Sequence, residues 1–223
     1  MSPQPAHYAA QKEHAISQSS NSESTYTEWS HRLSDGLKPL QESLGSLHRE
    51  TRLFRVYSST LLPGQLQTDG YAAAVLRTIV ESEELPFDDS AEAARARVER
   101  ARITHEPGHE SVLAIEEAVL YHQFGDREAM AAQLEHLLTL AALPSVSLGI
   151  IPKTTHPRVQ LPHETFHVYD ERLVTVELLS AEVKITEPTE IALYLKAFEQ
   201  LRSMAVDGAE ARALILKARE GLR

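Results

Sequence analysis

Behind a turn at Pro63-Gly64, apolar residues return every fourth position at Tyr71, Val75 and Ile79, and this spacing predicts a helix to about Glu81. Thr68 stands where an N-cap belongs, since its hydroxyl can accept from an amide that the first helical turn leaves without a partner. Upstream, Leu40, Leu44 and Leu47 share one face of a helix expected from about Pro39 to Arg49. Leu53, Phe54 and Val56 predict a short extended piece before the turn. Ser90 opens a second long helix through AEAARARVERARI, with acids near its start and arginines later, as the helix dipole favours. Pro107-Gly108, between His105 and His109, forces a break.

Ser111 to Tyr121, SVLAIEEAVLY, reads as a buried strand, with a helix as the alternative. Gly125-Asp126 then starts a helix carrying Met130, Leu134, Leu137, Leu138 and Ala141 on one face, ended by Pro144. The unbroken apolar run VSLGII (146–151) predicts an interior strand. Lys153 to Glu164 is polar and proline-bearing, a loop and a candidate for function. TFHVYD and LVTVELL flank Asp170-Glu171 as a hairpin, and EVKIT adds a further strand. Thr186 is placed to cap a helix with Pro188 in its first turn, where a missing amide costs nothing. That helix should bury Ile191, Leu195, Phe198 and Leu201. Asp207 is placed to cap the last helix, through Leu214, Ile215 and Ala218.

Helices, then strands, then two helices imply an α+β fold: a small mixed or antiparallel sheet with helices packed around it. Residues 1–24, rich in Ser, Gln, Asn and Ala, hold too little apolar surface to offset ordering and read as a mobile tail. Residues 25–223 then form a single domain. Composition narrows the functions. The chain carries 32 acidic against 22 basic residues, a formal net charge of −10, with no basic run to neutralise phosphates, which argues against nucleic acid as a partner. The absence of cysteine removes disulfides and thiolate metal sites and fits a reducing cytoplasm. No apolar run approaches the roughly 18 residues that crossing a bilayer requires, so no membrane partner is expected.

From about Trp29 to Leu216 the chain resembles the C-terminal domain of actinobacterial Xre-type helix-turn-helix regulators. The resemblance rests on LLPGQLQTDGYAAAVLR, on EEAVLY followed by Gly125, on EAMAAQLEHLLTLAALPSVSLGIIP, and on TFHVYD, VTVELL and AFEQLRSMAVDGAEARALI, in that order. Two features depart from the pattern. The polar stretch stands where members carry their DNA-binding helices, and the loop before TFHVYD, glycine-rich in the family, reads THPRVQLPHE. Relatives without the DNA-binding part resemble subunits of biosynthetic enzymes that close aziridine rings in azinomycin- and vazabitide-type pathways, working with a small partner protein encoded nearby. The resemblance therefore implies a cytoplasmic, cofactor-independent subunit in which an amine displaces a sulfate ester on a small-molecule substrate. The alternative it leaves open is an effector-sensing or partner-binding regulatory module without DNA-binding activity of its own, and a relic needing only its core is a third.

Ring closure needs a carboxylate for the ammonium proton and cations for the departing sulfate. Glu116, Glu117 and Glu177 are the candidate acids. In a strand Glu117 would share a face with the aliphatic Leu113, Ile115 and Val119, and Glu116 with the small Ala114 and Ala118. A structural ion pair is the competing reading for each, because acids among aliphatics need a partner or a task. Arg55, Lys184, His163 and Arg158 are the candidate substrate-binding groups, and Lys153 lies on the same loop as the last two. His163 and His167 stand four apart, and His105 and His109 straddle Pro-Gly, but neither pair has the context of a zinc site, so no metal is expected. Tyr71 is at core spacing and should pack rather than react.

Overall fold

The computed structural model of the protein describes residues 26–222. The expected mobile tail at 1–24 lies outside the described residues. A seven-stranded mixed sheet organises the rest, in the order β1-β7-β6-β5-β2-β3-β4. The strands are β1 (Tyr26–Glu28), β2 (Leu53–Ser58), β3 (Glu110–Glu116), β4 (Val146–Ile151), β5 (Phe166–Tyr169), β6 (Leu173–Glu177) and β7 (Ala181–Ile185). β2, β3 and β4 run parallel, whereas β2–β5, β5–β6, β6–β7 and β7–β1 are antiparallel. Parallel neighbours need a crossover. The helices α4 (Asp69–Ser82) and α5 (Ser90–Ala101) supply it between β2 and β3, and α6 (Arg127–Leu140) supplies it between β3 and β4. Three short helices precede β2: α1 (Trp29–Arg32), α2 (Leu37–Ser43) and α3 (Gly45–Glu50); α7 (Pro188–Arg202) and α8 (Gly208–Glu220) end the chain.

Alternation along the strands divides the core in two. On one face Val56, Leu113, Ile115, Leu148 and Ile150 cluster with Tyr71 and Val75 of α4, Leu134 and Leu137 of α6, and Ile215 of α8. On the other, Tyr57, Ala114, Phe166, Val168, Val174 and Val176 pack against Ile191, Phe198 and Leu201 of α7. A third cluster, Leu37, Ala72, Leu76, Ala93 and Ala94, joins α2, α4 and α5 into a helical layer. The expected α+β architecture is what forms.

Several local expectations hold for the reasons given. Thr68 accepts from Tyr71 N at 3.4 Å, and Asp126 accepts from Ala129 N at 2.8 Å. Asp170 turns the β5–β6 hairpin at φ +54° while its carboxylate accepts from Arg52 N (3.0 Å) and Leu53 N (2.9 Å).

Others are corrected. The expected single helix from Pro39 to Arg49 is two, α2 and α3, divided at Leu44 where Gly45 follows. The strand predicted over Ser111–Tyr121 stops at Glu116, and Glu117–Tyr121 forms a 3-10 turn that buries Val119 and Leu120 together, which one face of a strand cannot do. VSLGII is the edge strand β4 rather than an interior one. Its apolar run follows from α8 on one face, α7 on the other, and a bridge from Val206 to Ile150 along its outer side. A Cβ on Gly149 would stand 2.8 Å from Ala205 Cβ, so α7's end can approach there only because the position is glycine. Thr186 does not cap α7; Glu187 holds that place, with Pro188 next as expected. Asp207 occupies the N-cap position of α8, but its carboxylate binds Arg202 instead (2.7 and 3.0 Å). Ala141 lies beyond α6 and is exposed.

Candidate functional site

The structure separates the seven predicted site residues into unlike surroundings. Glu116 and Glu117 end up side by side at the top of β3, pointing to different partners. Glu116 is 9% exposed and accepts from the Tyr57 hydroxyl at 3.0 Å. Arg158 reaches down from the 153–164 loop with both terminal nitrogens, Nη1 to Oε2 at 3.2 Å and Nη2 to Oε1 at 2.5 Å. Such a fork fixes orientation as well as charge. Burial, then the Glu116 charge, pushes the Tyr57 hydroxyl up, and the hydrogen bond to Glu116 raises the affinity of Arg158 for its proton.

Glu117 is 2% exposed. Its Oε2 accepts from Lys153 N at 2.9 Å, and Oε1 meets Lys153 Nζ at 3.8 Å and the Tyr121 hydroxyl at 3.5 Å. Lys153 Nζ also sits 5.7 Å over the Tyr121 ring. Because Glu117 lies in the 3-10 turn, the strand-face neighbours expected for it do not apply. Both acids are buried under the loop, and both have their oxygens committed to it. This arrangement anchors the loop.

Arg55 is apart from them, near the hairpin: its Nη1 donates to Asp170 O at 3.2 Å and its Nη2 lies 3.8 Å from Glu171 Oε1. His163 contributes its backbone, its carbonyl accepting from Ser59 Oγ at 2.7 Å. Lys184 and Glu177 lie on the opposite sheet face from Glu116. Of the seven, only Glu116 and Arg158 bind one another.

That opposite face carries the larger surprise. On that face β5, β6 and β7 present His167, Tyr169, Thr175, Glu177, Glu182 and Lys184 by alternation, with Leu173 the apolar exception, a polar surface where a core would be apolar. Thr175 and Glu182 are buried nonetheless, and Arg32 forms an ion pair with Glu182. The His167 and Tyr169 rings stack at 6.3 Å.

Two arginines face this surface from α5. Arg97 Nε donates to Gln41 Oε1 (3.1 Å) and its Nη1 to Gln67 Oε1 (2.8 Å). Arg100 Nη1 donates to the Gln41 carbonyl (2.6 Å) and its Nη2 to Gln41 Oε1 (3.0 Å). Every acceptor is neutral. Among the described residues no carboxylate forms an ion pair with either guanidinium.

The electrostatics record this. Burial, then the charge of Arg97, lowers Arg100 to about 10. Burial lowers Arg97 too, with Glu177 opposing. His167 is lowered by burial, again opposed by Glu177, while Arg100 adds to the lowering. Yet Arg97, Arg100 and His167 are half-buried rather than sealed. The half-buried polar strip between the helical layer and β5–β7, hereafter the cleft, has Glu177 at its exposed end; the Glu177 carboxylate makes no hydrogen bond or ion pair among the described residues and lies within electrostatic reach of Arg97, Arg32 and His167.

The sequence reading gave no site role to Arg97, Arg100 or Gln41, and weighed His167 only as a metal ligand. The signal was present: α5 buries Ser90, Ala93 and Ala94, and Arg97 and Arg100 continue that inward stripe at helical spacing. Dipole complementarity had explained them too readily.

A groove between α6, α8 and β4, lined by Leu138, Leu148, Ala211 and Ile215, holds none of the predicted residues. Among the described residues there is no cluster of three or more metal-ligating side chains, and no helix is long and apolar enough to cross a membrane.

Fold and cleft together define an α+β domain with a polar, cation-lined cleft between its sheet and a helical layer. The chain belongs to the DUF5753 family of domains of unknown function, whose model matches residues 41–217. No curated protein matches it. Among solved structures it matches TrmBL2, an archaeal chromatin protein described as showing a novel mode of DNA binding, at 13% identity and a TM-score of 0.39. The match covers 91% of this chain and 62% of TrmBL2, so the chain spans less than two thirds of that protein, and a likeness at this level supports no functional argument.

Proposed function

We propose that this chain binds a small molecule carrying both an amine and a sulfate ester in the cleft under α2 and α5, and closes an aziridine ring together with a small partner protein. The resemblance to domains of Xre-type regulators, and to their ring-closing relatives, motivates the reaction. One observation supports this site: among the described residues the Glu177 carboxylate has no partner and lies within electrostatic reach of Arg97, which, like Arg100, has no carboxylate of its own. The amine nitrogen forms a bond to the carbon bearing the ester, the C–O bond breaks, and sulfate leaves with the electron pair. Glu177 takes the ammonium proton, and Arg97 and Arg100 stabilise the developing charge on the leaving group. Holding amine and leaving group anti to each other supplies the rest of the acceleration. Glu116 and Glu117, occupied by the loop, have no place in this step.

The test is Glu177→Gln in the full chain, co-expressed with the neighbouring small protein and assayed by mass spectrometry on amino-sulfate substrates. Ring-closed product should fall by about 100-fold or more, the ordinary worth of a positioned base. Undiminished product would remove Glu177 from the chemistry.

A second reading is effector sensing. Gln41 ties α2 to both arginines of α5, so a ligand drawing on those arginines would shift the helical layer against the sheet. Saturable binding with no turnover in the presence of the partner would favour this reading.

A further inference from the structure

We infer that Arg97 and Arg100 form a dedicated binding site for a tetrahedral oxyanion, the sulfate or phosphate end of a small molecule. The site goes beyond the ring-closing proposal, because it holds for a substrate and an effector alike. The ordinary alternative is that the two arginines only tie α2 to α5 through Gln41. A tie of that kind needs donors and not charge. Two cations three residues apart on one inward stripe repel each other, and a neutral donor would spare that repulsion while keeping the bonds.

The donor count points the same way. A guanidinium offers five N–H groups, and each of these two spends two of them on neutral oxygens. Around them further donors go unused. Gln65, in the turn that Gln67 ends, is 9% exposed, and among the described residues its Nε2 has no partner. The Tyr71 hydroxyl, within electrostatic reach of Arg97, is fully buried, and among the described residues its proton has no acceptor, the backbone of Leu62 being its nearest polar neighbour. Surplus donors and surplus positive charge in one place call for an anion rich in acceptors.

Each guanidinium has three N–H groups left, six in all, more than the about four acceptor sites of one carboxylate, whereas the oxygens of a sulfate or phosphate group offer more sites and point in several directions. The chain as a whole carries −10, so a long polyanion such as nucleic acid would be repelled outside the cleft. A small ligand fits both conditions.

The experiment titrates the full chain with sodium sulfate, sodium phosphate and sodium acetate at constant ionic strength, reading binding by calorimetry and the melting temperature in parallel. Wild type should bind sulfate or phosphate saturably and melt higher with either, and acetate should bind more weakly. Arg97→Gln and Arg100→Gln should each weaken binding by roughly 10- to 100-fold, the worth of charge-assisted hydrogen bonds. Arg95→Gln, on the same helix but paired with Glu92 at the surface, should bind as wild type does.

Circular dichroism checks that each variant folds; Arg100→Lys, which keeps the charge and loses the fork, replaces any that does not and should also bind more weakly. No saturable sulfate or phosphate binding, equal affinity for acetate, or wild-type affinity in both glutamine variants overturns the inference. Sulfate binding that survives in Glu177→Gln without ring closure by wild type keeps this site and removes the reaction. Turnover that survives in the Arg97→Gln, Arg100→Gln double variant does the opposite.

Discussion

Glu116 and Arg97 are both charged groups set into this fold, and the fold treats them oppositely. Glu116 receives a guanidinium fork and a phenol, so its charge is met within the chain. Among the described residues Arg97 receives only amide oxygens, and the carboxylate nearest in effect, Glu177, stands at the cleft mouth without touching it. A buried charge without a counter-charge is costly unless something from outside completes it. A satisfied charge holds structure together, while an unsatisfied one waits for a ligand. Of the predicted acids, Glu116 and Glu117 fall in the first class; Glu177, Arg97 and Arg100 fall in the second.

The largest effect that would break this comparison is on the satisfied side. Arg158→Met should destabilise the protein by about 3 kcal/mol, because it strands a carboxylate that is largely out of water. The double variant Glu116→Gln, Arg158→Met should recover most of that loss, since the uncompensated charge has gone. Urea denaturation measures both. A loss under about 1 kcal/mol in the single variant would show that Glu116 is solvated and free for chemistry after all. Arg100→Met, on the unsatisfied side, should move stability by no more than about 1 kcal/mol, since lost bonds to Gln41 are offset by relieved repulsion with Arg97.

How far the sequence reached follows the same division. Thr68, Asp126 and Asp170 were legible because each works on backbone within a few residues or at a turn that the pattern already marks. Asp89 was not: its carboxylate caps α2 from across the helical layer, accepting from Leu37 N (3.1 Å) and Lys38 N (2.8 Å), and no local pattern announces a partner fifty residues away. The edge position of β4 was hidden because burial by α7 and α8 produces the same apolar run as burial between strands. For the candidate site, the pairing of Glu116 with Arg158 was within reach of a reading that paired strand acids with loop cations. The cleft was not, since it depends on how a helical layer crosses β5–β7.

Acid provides the gentlest way to sharpen the contrast. His48 borders the cleft, its ring 5.2 Å from Phe54 and 5.9 Å from Tyr169. Burial, then the charges of Arg100 and the neighbouring His167, His109 and Arg49, lowers it to about 3 from its ordinary 6.5. A depressed histidine binds fewer protons folded than unfolded between those values, so stability is intact above pH 6.5 and drains as pH falls toward 3. His167 and His136 are lowered as well, so they add to the same slope. Urea midpoints should therefore fall from pH 7 to pH 5 in wild type, and fall less in His48→Gln. Sulfate should flatten the wild-type slope further, because an anion between Arg97 and Arg100 offsets the positive field that opposes protonation of His48 and His167. If sulfate leaves the slope unchanged while binding elsewhere, the cleft is not where the anion sits, and the two charged regions do not differ in the way their partners imply.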